Sequence, residues 1–192
     1  MKTPIRTTIR KATFRFAAVG AVAGVALLLA SDPPASDHDH AHALRPSIPA
    51  RLVELVRNAT RQYTNVNAAT AADYKPFLGC VSGPDHGAMG IHYVNGNLVA
   101  DGEIDANKPE ALIYEPTDTG LRLVGVEFIV DASAWMSKHS APPVLEGQTF
   151  QLVNAPNRYG LPAFFELHVW AWRDNPNGAF VDWNNRVSCE GQ

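Results

Sequence analysis

The sequence predicts an α+β fold, a mostly antiparallel curled sheet or small β-barrel with an N-terminal amphipathic helix. Three observations predict it. Apolar residues recur at helical spacing between residues 49 and 74, short strand-like runs separated by turn residues follow from residue 89, and Cys80 and Cys189 bracket nearly all of that region. A ferredoxin-like α+β arrangement is the alternative, because short helical segments would fit between the first and second strands and between the third and fourth.

The chain of 192 residues opens on a basic, acid-free stretch with Lys2, Arg6, Arg10, Lys11 and Arg15, followed by the uncharged run Phe16 to Ala30. This order matches the two regions of a secretory signal, and the run is short for a membrane span. Residues 1–30 are therefore expected to be a signal peptide and the mature protein to be exported, periplasmic or extracellular, without a membrane span. Residues 31–48 read as a flexible linker containing Pro33, Pro34 and Pro46 and the segment DHDHAHA. Its His38, His40 and His42 form either a weak metal-collecting tract or a solvated spacer. Residues 49–192 are then a single globular domain, long enough for one core. The formal net charge of -3 includes the basic leader, and no basic block lies outside it, which argues against a nucleic-acid partner.

Leu52, Val53, Val56, Ala59, Tyr63 and Val66 predict a helix from Pro49 to about Tyr74, ended by Lys75-Pro76. The glycines, proline and serine of GCVSGPDHGAMG predict a loop. Strands are expected at 89–95, 111–115 and 121–131, the last two joined by the turn PTDTG. Asp131 is placed to cap a short helix reaching Lys138. QTFQLVN and the run 163–172 are two further strands linked through NAPNRYGLP, and DNPNG turns the chain into a short final strand, AFVDW.

Period-two alternation places polar groups where a core is expected. Glu127 shares a face with Leu121, Leu123, Gly125 and Ile129; Glu166 and His168 share one with Phe164, Trp170 and Trp172; His92 points with Val94. An unpaired buried carboxylate normally pairs, binds a metal or takes up a proton. Two imidazoles and two carboxylates meeting inside a barrel would make a mixed nitrogen and oxygen site suited to Zn, Cu, Fe, Mn or Ni. His92, Glu127 and His168 are the candidate ligands, with Glu166 a fourth ligand or a supporting partner, and His86 in the glycine-rich loop a candidate for the site mouth. The same residues are also compatible with a closed polar network in which Glu166 pairs with Arg158, Arg173 or Arg186.

The expected partner is thus a metal ion or small molecule, and catalysis is left open. A non-catalytic small-ligand or sugar-binding module would use Trp135, Trp170, Trp172 and Trp183 with Tyr93, Tyr114 and Tyr159. A structural envelope protein is the remaining reading. Glu127 and Glu166 beside tryptophans also suggest glycoside hydrolysis, although that leaves both histidines unused. The two lone cysteines of an exported chain are expected to pair, the alternative being two buried thiols. Neither a G-x-S-x-G elbow nor a phosphate-binding glycine motif is present.

Over about residues 50 to 190, the segments GAMGIHYVNGNLV, PEALIYEP, LRLVGVEFIV and YGLPAFFELHVWAWRDNPNG resemble a family of exported bacterial proteins of unassigned activity. The resemblance implies export and carries no site residue over. The H-x-H pair of cupins is absent, so a cupin-type oxygenase or isomerase is an analogy of architecture alone.

Overall fold

A computed structural model describes residues 48–191; the expected signal, the linker through residue 47 with His38, His40 and His42, and Gln192 lie outside them. The helical spacing yields α1 (Ile48–Thr60), a 3-10 turn (Arg61–Thr64) and α2 (Val66–Ala71) rather than one helix to residue 74. Asn65 makes the break. Its backbone is extended (φ -95°, ψ 112°) and its side chain accepts the Asn67 N–H at 3.0 Å, restarting the helix as an N-cap.

The strands, in chain order, are β1 (Lys75–Gly83), β2 (Gly87–Val94), β3 (Ala111–Thr117), β4 (Gly120–Asp131), β5 (Val144–Leu145), β6 (Gln148–Thr149), β7 (Gln151–Val153) and β8 (Phe164–Val169). Six of them form one antiparallel sheet in the order β1-β2-β3-β4-β8-β7, curled into a half-barrel, while β5 and β6 pair separately. The fold is therefore α+β with a curled sheet, as expected. Its edges, β1 and β7, do not pair with each other, so the sheet is open and not a closed barrel. A ferredoxin-like order is excluded as well. That motif splits a helix-connected parallel pair, whereas β2 and β3 flank helix α3 (Gly96–Asp101) and remain antiparallel neighbours.

Several local expectations are corrected. Most of the stretch taken as a glycine-rich loop belongs to β1, its turn and the start of β2. β1 is an edge strand with register shifts between Phe77 and Val81, and Leu78 adopts a positive φ of 62°, so its backbone is irregular enough to resemble a loop in composition. β8 stops at Val169, where the Ala171 N–H turns back to Val169 O and the Trp172 and Arg173 N–H groups both reach Val124 O. Trp172 consequently joins the helix-side core and donates to Thr60 Oγ1 at 3.0 Å, away from Glu166 and His168. AFVDW forms no strand. It is held by Trp170 Nε1 donating to Val181 O and Asn175 Nδ2 donating to Trp183 O, with a single bridge from Asn184 to Ala88. That bridge needs Gly87, at φ +79°, where an added Cβ would lie 2.2 Å from Asn184 O.

On the helix side, Leu52 and Val56 pack with Leu112, Val126, Phe128, Phe165 and Leu167. A bulge in β4 pairs Ile113 with Gly125 and Tyr114 with Leu123, leaving Val124 as the extra residue. The bulge moves Leu123 into the helix-side core, whereas Glu127 and Ile129 remain on the other face. Asp131 caps α4 (Ala132–Lys138), accepting the Ala134 N–H at 2.7 Å. Among the described residues no helix is long and apolar enough to cross a membrane.

Glu110 is a buried acid that periodicity does not reveal, because it precedes β3. β3 begins one residue later, and the Glu110 carboxyl accepts the Ile129 N–H at 2.9 Å where no β3 residue can. Burial pushes its pKa up to about 8, with that hydrogen bond offsetting part of the rise. A raised carboxyl pKa gives stability that is full below the unfolded value of 4.5 and lost as pH rises through about 8. Thermal melts across that range are expected to fall for the parent and to fall several degrees less for Glu110→Gln; parallel curves would contradict a buried, protonated Glu110.

Candidate metal centre

His168 lies directly opposite Glu127 in the β4–β8 pair, so these two side chains meet by register alone. His92 arrives differently. It is on β2, three strand steps from β8, and at about 4.8 Å per step a flat sheet would separate those strands by about 14 Å. Yet His92 Nε2 is 3.5 Å from His168 Nε2 and 3.3 Å from Glu127 Oε2. The curl closes that gap, and the face opposite the helices is the concave one. In register, Ala111 of β3 lies between Val94 and Glu127, and Ile113 lies between His92 and Gly125.

All four expected residues therefore come together, and all are buried: His168 is 1% exposed, Glu166 3%, Glu127 5% and His92 6%. The ligand atoms of His92, Glu127 and His168 lie within 4.8 Å of one another. Glu166, one step along β8, contacts Glu127 and accepts from Gln151 Nε2 at 2.9 Å. Gln151 also donates to Asp182, and Asp182 Oδ1 stands 3.6 Å from His168 Nδ1. That separation is too long for a hydrogen bond. Among the described residues, Glu166 Oε2 and His168 Nδ1 are buried without a hydrogen-bond partner.

Burial dominates the electrostatics. It lowers the His92 pKa to about 3, with His168 adding to the effect, and that of His168 to about 4, so both rings are neutral at pH 7. Burial first, and then the adjacent Glu166, pushes Glu127 well above the carboxylate range, and burial raises Glu166 and Asp182 as well. Among the described residues no arginine relieves them. Arg173 donates to Arg186 O, Arg186 pairs with Asp174, and Arg158 lies over the Trp183 ring at 5.7 Å.

Two recesses flank the cluster. An apolar cavity of about 240 Å³ reaches His92, Glu127 and Tyr159, and a more polar cleft reaches Gln151, Asp182 and Trp183. His86, exposed in the β1–β2 turn, lines the cleft and not the cavity. Of the aromatic residues proposed as a ligand wall, Tyr159 lines the cavity and Trp183 the cleft, while Tyr93, Tyr114 and Trp172 belong to the helix-side core and Trp135 stacks on His139. Glu127 and Glu166 contact each other directly, closer than the roughly 5 to 5.5 Å of a retaining glycosidase pair, which argues against that chemistry.

Sequence reasoning missed Asp182 and Gln151. Asp182 carries the same signal as Glu127, one acid among Phe180, Val181 and Trp183, but reading that run as a terminal strand gave it no neighbour. Cys80 and Cys189 form a disulfide, Cα to Cα 5.7 Å, joining β1 to the segment that follows Asp182. Compared with protein-family models, curated proteins and solved structures, the chain finds no match, and the fold and site rest on their own geometry.

Proposed function

We propose that this exported domain binds a divalent transition metal through His92, Glu127 and His168, with Glu166 completing or supporting the ligand set. The carrying observation is the spacing of the donor atoms. Tetrahedral zinc with nitrogen and oxygen ligands at about 2.0–2.1 Å puts neighbouring ligand atoms about 3.3–3.4 Å apart. The separations of 3.5 Å between the two Nε2 atoms and 3.3 Å from His92 Nε2 to Glu127 Oε2 match two of the three edges of that geometry, and the third lies within 4.8 Å. Neutral imidazoles are the ligand form, and a dication would offset two buried carboxyls that no arginine serves.

A closed polar network explains the cluster less well, because a closed network leaves no buried donor or acceptor unused. Here His168 Nδ1 has no hydrogen-bond partner among the described residues. Asp182 facing Nδ1 is the kind of carboxylate that orients a ligating histidine. Three protein ligands beside a cavity also leave a coordination position for water or an exogenous ligand, the arrangement of catalytic rather than structural zinc sites. Zinc, copper, iron, manganese and nickel share the donor preference.

The test is elemental analysis of the full chain, exported and oxidised, with His38, His40 and His42 replaced by alanine so that the tract does not contribute. About one metal per chain is expected, falling to background in a folded His92→Ala/His168→Ala variant. No metal after incubation with Zn, Cu, Mn and Fe would sink the reading.

A further inference from the structure

We infer that the cavity beside His92 and Glu127 is a binding site for a small molecule with a hydrocarbon body and a single polar head, the head directed at the His92, Glu127 and Tyr159 end. The cavity's about 240 Å³ corresponds to about eight water-sized volumes, which sets the ligand near eight non-hydrogen atoms. Six segments supply hydrocarbon wall, among them Leu78 from β1, Val94 from β2, Val99 from α3, Ile129 from β4, Leu161 from the loop before β8 and Phe164 from β8. Among the described residues no lysine or arginine lines it.

Two further observations point to an occupant. Leu78 is held at φ 62°, a conformation costly for a branched side chain, and is 55% exposed at this wall, with Leu161 38% exposed beside the same cavity. A strained backbone that presents an apolar side chain to solvent fits a ligand-contacting position better than a folding requirement. At the polar end, the only hydrogen bond of Tyr159 Oη among the described residues is to Met89 Sδ at 3.5 Å, a weak acceptor that a ligand oxygen readily replaces. The loop presenting Tyr159 and Leu161 is itself ordered by Asn157, whose Oδ1 accepts from both of their N–H groups at 3.2 Å.

Charge selects the head. Among the described residues no cation lines the wall, so burying a carboxylate head there is disfavoured unless a metal is bound, whereas an alcohol head is accepted either way. The head-group preference thus rests on the metal reading, and the hydrocarbon body does not.

The experiment is an amide NMR titration of the full chain, exported and oxidised, with hexan-1-ol and with hexanoate, each in EDTA and with one equivalent of zinc. Hexan-1-ol is expected to shift α3 and the 159–161 loop with or without zinc. Its affinity should fall by about tenfold or more in Ala100→Trp, at an exposed helix position, and in Val99→Trp. Hexanoate is expected to bind about tenfold more tightly with zinc than without. Failure of hexan-1-ol to shift these residues, including because another segment of the chain fills the cavity, overturns the inference, as does binding unaffected by both tryptophans. Hexan-1-ol binding with hexanoate indifferent to zinc overturns the metal-directed head while leaving the cavity site standing, and metal content decides the metal reading separately.

Discussion

Replacing Cys80 and Cys189 together by serine is expected to lower stability by about 4 kcal/mol and the Tm by about 10–15 °C. The two cysteines are 109 residues apart, and closing a loop of that order is worth about 4.7 kcal/mol in the chain-entropy model, of which measurement often recovers less. The crosslink also has a local consequence. One end anchors β1, the irregular edge strand that forms a cavity wall, and the other anchors the segment that packs Val187 beneath Ala88 and Trp170. Without the bond, that segment keeps the Ala88–Asn184 bridge and the hydrogen bond from Ser188 N–H to Glu115 Oε1 at 3.1 Å. Hydrogen exchange in β1 and residues 184–191 should therefore rise before exchange in α1 or β4. A variant that melts with the parent would mean that those hydrogen bonds alone hold the segment.

Regular elements were legible in proportion to how far one short-range pattern determined them. Alternation was sufficient for β4 beyond its bulge and for the core of β8, and it separated Glu166 and His168 from Phe165 and Leu167 correctly, because a two-sided strand repeats every second residue. The capping role of Asp131 was legible from a local hydrogen-bonding preference. What escaped depended on partners distant in sequence. The β4 bulge exists only against β3, β1 is a strand only because β2 and the disulfide support it, and Asn65 interrupts a helix whose apolar spacing continues past it. The cluster shows the same division. That Glu127, Glu166, His92 and His168 were polar groups in apolar strands was readable; that His92 crosses three strand steps to meet His168 depends on sheet curl, which no spacing encodes. Asp182 and Gln151 reach the cluster through a folded-back tail and an edge strand, so only the tertiary arrangement identifies them.

Zinc in about thousandfold excess over its dissociation constant is expected to stabilise the parent by about 4 kcal/mol, or about 8–16 °C in Tm for a body of this size. Glu127→Gln should lose most of that rise. This variant is informative because its effect without metal has the opposite sign. The Glu127 pKa is raised in the folded state by burial and by Glu166. Its contribution to stability is thus full below 4.5 and diminishes as pH rises toward the folded value, so at pH 7 the parent carries a cost that a neutral amide of the same size avoids. In EDTA, Glu127→Gln should melt at or above the parent; in zinc, the parent should melt well above Glu127→Gln. A purely structural polar network gives the same order under both conditions, because zinc then has nothing to bind in either protein. Inversion of the two melting temperatures on adding zinc therefore separates a buried carboxyl retained for a ligand from one retained for the fold.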